Sequence, residues 1–298
     1  MKALVTGAGG FVGKYLITAL EKHGHAVSKS VYSPSTDLTD FAYTESLVKE
    51  SQPEIVYQLA AISVVGGSED NARRILSDNA LIQYNLLESV RRHAPRARFI
   101  AICSANEYGL VASVDTPIKE TCPLRPLNPY AVSKATQELL AQEYALAYGL
   151  DVVILRPFNH TGPGQTTDFI IPSLARQFVE VERGMRTEIH AGNTATIRDF
   201  TDVNDMAEAY RLAGEKGRAG EIYNLGSGKG TSIHELVEIF RQVTHLNPPL
   251  KIDANVQRRA DVPILVADSS KFIAATGWTP TIPLQDTIMN VLDYWRKQ

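Results

Sequence analysis

Tyr130 and Lys134 stand four residues apart in the run Tyr130-Ala131-Val132-Ser133-Lys134, a spacing that puts both side chains on one face of a helix. A phenol has a pKa of about 10 and is a poor base at neutral pH. A nearby ammonium favours the phenolate and lowers that value, and the same lysine can hold a ribose hydroxyl. Such a pair also arises by chance on surface helices. Ser104 gives it weight, because this hydroxyl closes an apolar run, Arg98–Cys103, that reads as a strand. A phenol, an ammonium and a hydroxyl are what hydride transfer to a ketone asks of a protein: Tyr130 gives a proton to the developing alkoxide, and Ser104 and Lys134 stabilise its charge.

The elements needed to bring these residues together are legible. Ala3–Thr6 reads as a strand, followed by Gly7-Ala8-Gly9-Gly10-Phe11-Val12-Gly13 and a helix over Phe11–Lys22. Gly7 permits a tight turn, Gly10 lets the backbone approach a pyrophosphate and Gly13 lets helix pack closely on strand, with the helix N-terminus facing the negative charge. Further strands are predicted over His25–Val31, Glu54–Ala61, Arg98–Cys103 and Asp151–Arg156. Helices are predicted over Asp78–His93 and Pro129–Tyr148, the latter with Asn128 as cap and Pro129 in its first turn. Apolar strands alternating with helices imply an α/β fold, a doubly wound parallel sheet of the Rossmann type. Ser104 then lies at the carboxyl edge of the sheet, where such folds bind ligands.

After Phe158 the alternation weakens. Helices are predicted over Ile170–Glu182, Asn204–Lys216, Ser232–His245 and Leu284–Trp295, the last with Leu284, Ile288, Leu292 and Trp295 at helical spacing. The expected division is a dinucleotide-binding domain over 1–160, rejoined by about 200–226, and a smaller α/β substrate domain mainly over 161–298. The hydride carrier implied by the glycine loop is NADP or NAD. No acid ends the second strand, where Ser28-Lys29-Ser30-Val31-Tyr32-Ser33 stands. Lys29, Ser30 and Ser33 tolerate a 2′-phosphate, and the alternative for Lys29 is a solvated side chain, so both cofactors stay open. Asp37 and Leu38 are placed at the adenine.

Taken jointly, these motifs identify the chain as a member of the extended short-chain dehydrogenase/reductase family. The match covers the glycine loop, Gln58-Leu59-Ala60-Ala61, Asn79, Ser104-Ala105-Asn106-Glu107-Tyr108-Gly109, Tyr130 to Lys134 and Arg156-Pro157-Phe158-Asn159. Within the family it is most similar to the reductases of GDP-4-keto-6-deoxy-D-mannose, through Phe158 to Gln165, Ile197 to Val203 and Arg258 to Asp268. The resemblance implies that Leu59, Ala60, Ala61, Asn79 and Pro157 join Gly7, Gly10, Phe11, Val12, Gly13, Tyr130 and Lys134 in holding the cofactor. It implies that Ser104, Asn106, Asn159, Arg198 and Arg258 contact a nucleotide-linked sugar, the arginines at its diphosphate. The alternative for Arg198 is an ion pair with Asp199 or Asp202. The resemblance also implies a homodimer through helices flanking the fourth strand.

The related dehydratases carry an acidic pair after the catalytic hydroxyl residue; here Ala105 and Asn106 stand there, and Glu107 is one step out of place. That disfavours loss of water from the sugar and leaves reduction of a 4-keto group, most simply giving GDP-D-rhamnose. A 4-epimerase with tightly bound NAD and a non-catalytic cofactor-sensing protein are the alternatives. Net charge is −3 with 21% charged residues, which argues against a nucleic-acid partner. No apolar run approaches a membrane span. Two cysteines, Cys103 and Cys122, suit a reducing, cytoplasmic compartment, and the seven histidines form no metal-binding spacing, so no metal is expected.

Overall fold

The computed structural model describes residues 1–63, 71–253 and 262–298. In chain order the elements are β1 (Lys2–Thr6), α1 (Phe11–Lys22), β2 (Ala26–Ser30), α2 (Phe41–Ser51), β3 (Ile55–Gln58), α3 (Ala72–His93), β4 (Arg98–Ile102), α4 (Pro129–Tyr148), β5 (Val152–Pro157) and β6 (Asn159–Thr161). They continue with α5 (Ile170–Glu182), β7 (Ile189–Ala191), β8 (Ile197–Asp202), α6 (Val203–Lys216), β9 (Ile222–Leu225), β10 (Gly230–Ser232), α7 (Ile233–Thr244), β11 (Leu250–Ile252), β12 (Ile264–Leu265), α8 (Ser270–Thr276) and α9 (Leu284–Arg296).

Six parallel strands form the main sheet in the order β2-β1-β3-β4-β5-β9. Side chains alternate between its faces with the period of two that a strand imposes. Ala3, Val5, Ile55, Tyr57, Ile100, Ile102, Val153 and Leu155 pack on one side with Leu16 and Leu20 of α1 and Met206 and Tyr210 of α6. Leu4, Val56, Phe99, Ala101, Val152 and Ile154 pack on the other with Val48, Leu86, Val90 and Tyr144 of α2, α3 and α4. Burial on both faces explains the near-continuous apolar strands. The chain moves outward from β1 to β2, then crosses back to β3 on the other side of β1. This reversal opens a crevice at the carboxyl ends of β1 and β3.

A smaller layer covers that end. Phe178 of α5 stacks on Phe240 of α7, with ring centroids 5.2 Å apart. Both pack with Ile288 and Leu292 of α9. Beside them β8 pairs with β6, β10 and β12.

Several elements differ from the sequence reading, three of them in the first hundred residues. α3 begins at Ala72, six residues before the expected start at Asp78, because Arg73, Arg74, Ser77 and Asp78 give its first turns no apolar period although Ile75 is buried. α2 was not expected; it is short, buries Thr44 and Val48, and is started by Asp40 accepting from the Ala42 and Tyr43 N–H groups. β3 ends at Gln58, so Leu59 to Ala61 leave the sheet as a loop. Arg258 lies outside the described residues.

Candidate active site

A cleft of about 930 Å³ runs over the carboxyl ends of the sheet strands, within the range typical of small-molecule and cofactor sites. One end is the glycine loop. Gly7 adopts φ +67°, and a Cβ there would stand 2.9 Å from the Ala60 nitrogen. A Cβ on Gly13 would stand 2.5 Å from the Gly7 oxygen and 2.9 Å from Ala8 Cα, so α1 packs on its strand at a distance that no side chain fits. A Cβ on Gly10 would meet nothing closer than the Gly7 oxygen at 3.1 Å. No side chain caps α1, and Phe11 and Val12 in its first turn line the cleft, so unsatisfied N–H groups are available to an anion. This cradle fits the pyrophosphate of a dinucleotide.

Asp37, Leu38, Leu59, Ala60, Ala61 and Pro157 all line the same cleft. Asp37 Oδ1 accepts from the N–H and hydroxyl of Thr39. Asn79 is placed differently. It is fully buried behind the wall, where Oδ1 accepts the Ile62 N–H at 2.7 Å and Nδ2 donates to the Ser133 hydroxyl at 2.9 Å. It ties the loop after β3 to α4. Past β2 the wall is Ser30, Val31, Tyr32 and Thr36. Lys29 turns to Glu21 at 2.9 Å, and the Ser33 hydroxyl bonds to Ser35 and Thr36.

The Tyr130–Lys134 pair lines the same cleft. Asn128 caps α4 by accepting the Ala131 N–H, with Pro129 in the first turn, and this sets Tyr130 and Lys134 facing β4. Lys134 Nζ donates to the Ile102 carbonyl at 2.8 Å. Burial pushes the Lys134 ammonium below its ordinary value. Burial is also the largest influence on Tyr130 and raises its phenol, while a hydrogen bond with Ser104 acts in the opposite direction. The sequence reading has Lys134 lowering the Tyr130 value. In the structure desolvation outweighs any such effect, so the phenol is pushed up rather than down.

Ser104 ends β4 and starts a 3-10 turn over Ala105–Tyr108. Its Oγ accepts the Asn106 backbone N–H at 3.2 Å and the Asn106 side-chain Nδ2 at 3.1 Å. With both lone pairs engaged, the hydroxyl proton is left to donate. Glu107 Oε1 accepts the Ser104 N–H at 2.8 Å, which completes a reciprocal capping box. The Ser-x-x-Glu spacing of Ser104 and Glu107 was the available sequence signal for this support, and the sequence reading missed it. Tyr210 of α6, fully buried at the cleft floor, was missed too. It follows no local motif, since α6 reaches the site by tertiary packing.

Beyond Pro157 lie Asn159, His160, Phe169 and Ser173, then Gly192, Asn193, Thr196 and Arg198. The half-buried His160 imidazole lies 3.0 Å from the Phe158 carbonyl, and desolvation lowers its pKa. Arg198 Nη1 donates to the Ile197 carbonyl at 2.9 Å. Asp199 accepts from the Ser227, Gly228 and Ala267 N–H groups, and Asp202 from Asn204 and Thr287. The structure therefore gathers Ser104, Asn106, Tyr130, Lys134, Asn159 and Arg198 around one cavity.

Fold and site define a dinucleotide-binding oxidoreductase of the extended short-chain dehydrogenase/reductase type. The chain belongs to the GDP-mannose 4,6 dehydratase family, whose model matches residues 27–291. It is 32% identical to the GDP-6-deoxy-D-mannose reductase of Pseudomonas aeruginosa, over 100% of this chain and 98% of that protein. It is 30% identical to the GDP-6-deoxy-D-talose 4-dehydrogenase of Aggregatibacter actinomycetemcomitans, over 93% of this chain and 92% of that one. Among solved structures, RMD from Pseudomonas aeruginosa complexed with NADPH superposes with a TM-score of 0.92 at 32% identity, covering 100% of this chain and 99% of that one. The UDP-glucose 4-epimerase of Thermus thermophilus in complex with NAD superposes with a TM-score of 0.87 at 28% identity, each chain 99% covered.

Proposed function

We propose that the protein reduces the 4-keto group of a GDP-linked 6-deoxy sugar, converting GDP-4-keto-6-deoxy-D-mannose to GDP-D-rhamnose. The observation that carries this reading is the setting of Ser104: a hydroxyl whose acceptor capacity is spent on Asn106, beside the buried Tyr130 phenol. Ser104 and Tyr130 both offer protons to one oxygen, which is what a carbonyl becoming an alkoxide requires. Bound NADPH or NADH supplies the hydride. Gly7, Gly10, Gly13 and the first turn of α1 would hold its pyrophosphate, and Lys134 its ribose. Tyr130 protonates the alkoxide as it forms, and Lys134 limits the cost of leaving a phenolate behind.

Asn159 and Arg198 are assigned to the sugar and diphosphate, and Arg258 to the diphosphate from its sequence motif. Ala105 and Asn106 offer no carboxylate next to Ser104, and Glu107 is fully buried and off the cleft wall. The acidic pair that the dehydratases carry after this hydroxyl is therefore missing, which favours reduction over dehydration. Residues 1–160 with about 200–226 serve the dinucleotide, and the rest of 161–298 the sugar nucleotide.

Partner and location belong to the same reading. Val132, Leu139 and Leu146 of α4 recur every seven residues and are exposed, Leu146 at 86%. With Leu81 and Tyr84 of α3 they form an apolar surface suited to a two-fold homodimer. Free thiols at Cys103 and Cys122 suit the cytoplasm.

The test is a panel of 4-keto nucleotide sugars with NADPH and NADH, with product stereochemistry assigned by NMR. Stoichiometric consumption of the reduced cofactor with the GDP-linked ketone is expected. Tyr130→Phe should lose turnover by about three orders of magnitude, near the range of acid catalysis, while still binding cofactor. Protein that carries NAD and interconverts 4-epimers without consuming NADPH would overturn the assignment.

A further inference from the structure

Glu107 hydrogen-bonds Ser104 from the side away from the cleft, and its side chain is 0% exposed. One oxygen has a clear role: Oε1 accepts the Ser104 N–H at 2.8 Å. The other, Oε2, meets no donor. The guanidinium of Arg156 is near, with Nε 3.9 Å away, but that group is engaged elsewhere. Its Nε and Nη2 donate to Glu138 at 2.7 and 2.6 Å, and its Nη1 donates to the Tyr108 hydroxyl at 2.8 Å and the Glu120 carbonyl at 3.1 Å. Glu138 is thus the carboxylate that neutralises Arg156. Glu107 lies against it, with Cys103 Sγ and one oxygen of each acid within 4.8 Å of one another.

An ionised Glu107 would place a second, unpaired charge beside Glu138 in a dry interior, an arrangement that proteins avoid by keeping a proton. With a proton on Oε2 the same atom becomes a donor, and the Glu138 carboxylate, with an oxygen within 4.8 Å of one on Glu107, is the acceptor beside it.

We propose that Glu107 works as a neutral carboxylic acid that positions Ser104, accepting the Ser104 N–H through one oxygen and donating its own proton to Glu138 through the other. The chain of support then runs from the Arg156–Glu138 ion pair through Glu107 to the backbone of the substrate-contacting serine. Burial, and next the Glu138 charge, hold the Glu107 carboxyl well above the ordinary range, in keeping with a proton retained at neutral pH. The same geometry accounts for Cys103, Glu107 and Glu138 without a metal, since Arg156 already supplies the cation. Glu107 touches neither sugar nor cofactor in this scheme. It is a positioning residue, and its importance rests on the reading of Ser104 as a donor to the substrate oxygen.

The test compares the full-length protein with Glu107→Gln and Glu107→Leu. Glutamine keeps an acceptor for Ser104 and a donor for Glu138, so Glu107→Gln should retain kcat within about threefold. Leucine keeps the volume and loses both bonds, so Glu107→Leu should lose kcat by about 10- to 100-fold with KM for the sugar little changed. Infrared difference spectra of the wild-type protein against Glu107→Gln at neutral pH should show a protonated-carboxyl C=O band that the variant lacks. That measurement needs no substrate, so it stands even if the ketone panel shows no turnover. A Glu107→Gln variant as impaired as Glu107→Leu, or a wild-type protein without that band, would overturn the proposal. Should Glu107→Leu fail to fold, the Glu107→Gln rate and spectrum decide alone.

Discussion

Replacing Ser104 by Ala removes a single oxygen from the site and tests the proposed arrangement most directly. Ser104 Oγ takes two N–H donors from Asn106 at 3.2 and 3.1 Å, so its proton is directed away from them, towards Tyr130 and the cleft. If that proton stabilises the alkoxide, its loss resembles the loss of one oxyanion donor, about 100- to 1,000-fold in kcat or about 3–4 kcal/mol. The bond strengthens as charge develops, so the loss falls on kcat and leaves KM nearly unchanged. The hydrogen bond from Ser104 is also the influence that restrains the upward shift of Tyr130. Without it the phenol holds its proton more tightly, and the alkaline fall in kcat should move to higher pH. The turn after β4 loses its N-cap oxygen, at about 1 kcal/mol of stability, while Glu107 still holds the residue 104 N–H. The assay is steady-state oxidation of NADPH by the ketone over a pH series, with thermal unfolding alongside. A Ser104→Ala enzyme within about threefold of wild-type kcat, or one with raised KM and unchanged kcat, would refute the reasoning.

Three more outcomes follow from the geometry. Gly13→Ala places a methyl 2.5 Å from the Gly7 oxygen and 2.9 Å from Ala8 Cα. Both are backbone atoms, so the variant should lose about 1–3 kcal/mol of stability and bind NADPH at least about tenfold more weakly, as read by fluorescence titration. Glu88 joins α3 to α4 by accepting from Arg91, Arg92 and Tyr144, and its carboxyl is pulled down from 4.5 to about 2, first by Arg91. A depressed value stabilises the fold above the unfolded-state pKa, and that contribution is lost as pH falls from about 4.5 towards 2. Glu88→Gln should therefore cost about 1 kcal/mol at neutral pH, modest because both arginines reach solvent, and should flatten the acid limb of the stability profile. Leu139→Glu combined with Leu146→Glu puts charge on the exposed stripe of α4 and should convert a dimer to a monomer in sedimentation without loss of fold; a wild-type protein that is already monomeric would remove the dimer from the reading.

Much of the site could be read from local pattern. The glycine loop, the Asn128–Pro129 start of α4 and the Tyr130–Lys134 spacing are each set by residues within one or two turns of one another, and the cleft contains them as read. The shortfalls have a common cause. α3 starts six residues early and α2 goes unseen because their polar turns have no period of their own and are held by neighbours distant in sequence. Asn79 matches a motif by position, yet its amide is used on Ile62 and Ser133, a division that no spacing reveals. The direction of the Tyr130 shift also escaped, because the helix spacing shows the ammonium four residues away but not the burial that outweighs it.

The sequence alone determined the alternation of strands and helices, the glycine cradle and the helical pairing of Tyr130 with Lys134, because these follow from backbone sterics, capping and helical periodicity over a few residues. Tertiary structure alone decided that burial raises the Tyr130 phenol, that Ser104 Oγ accepts twice from Asn106, and that Glu107 is buried against Glu138 off the cleft wall. Those properties depend on which atoms share a dry interior, and residues from β4, α4 and β5 meet there only once the sheet has closed over them.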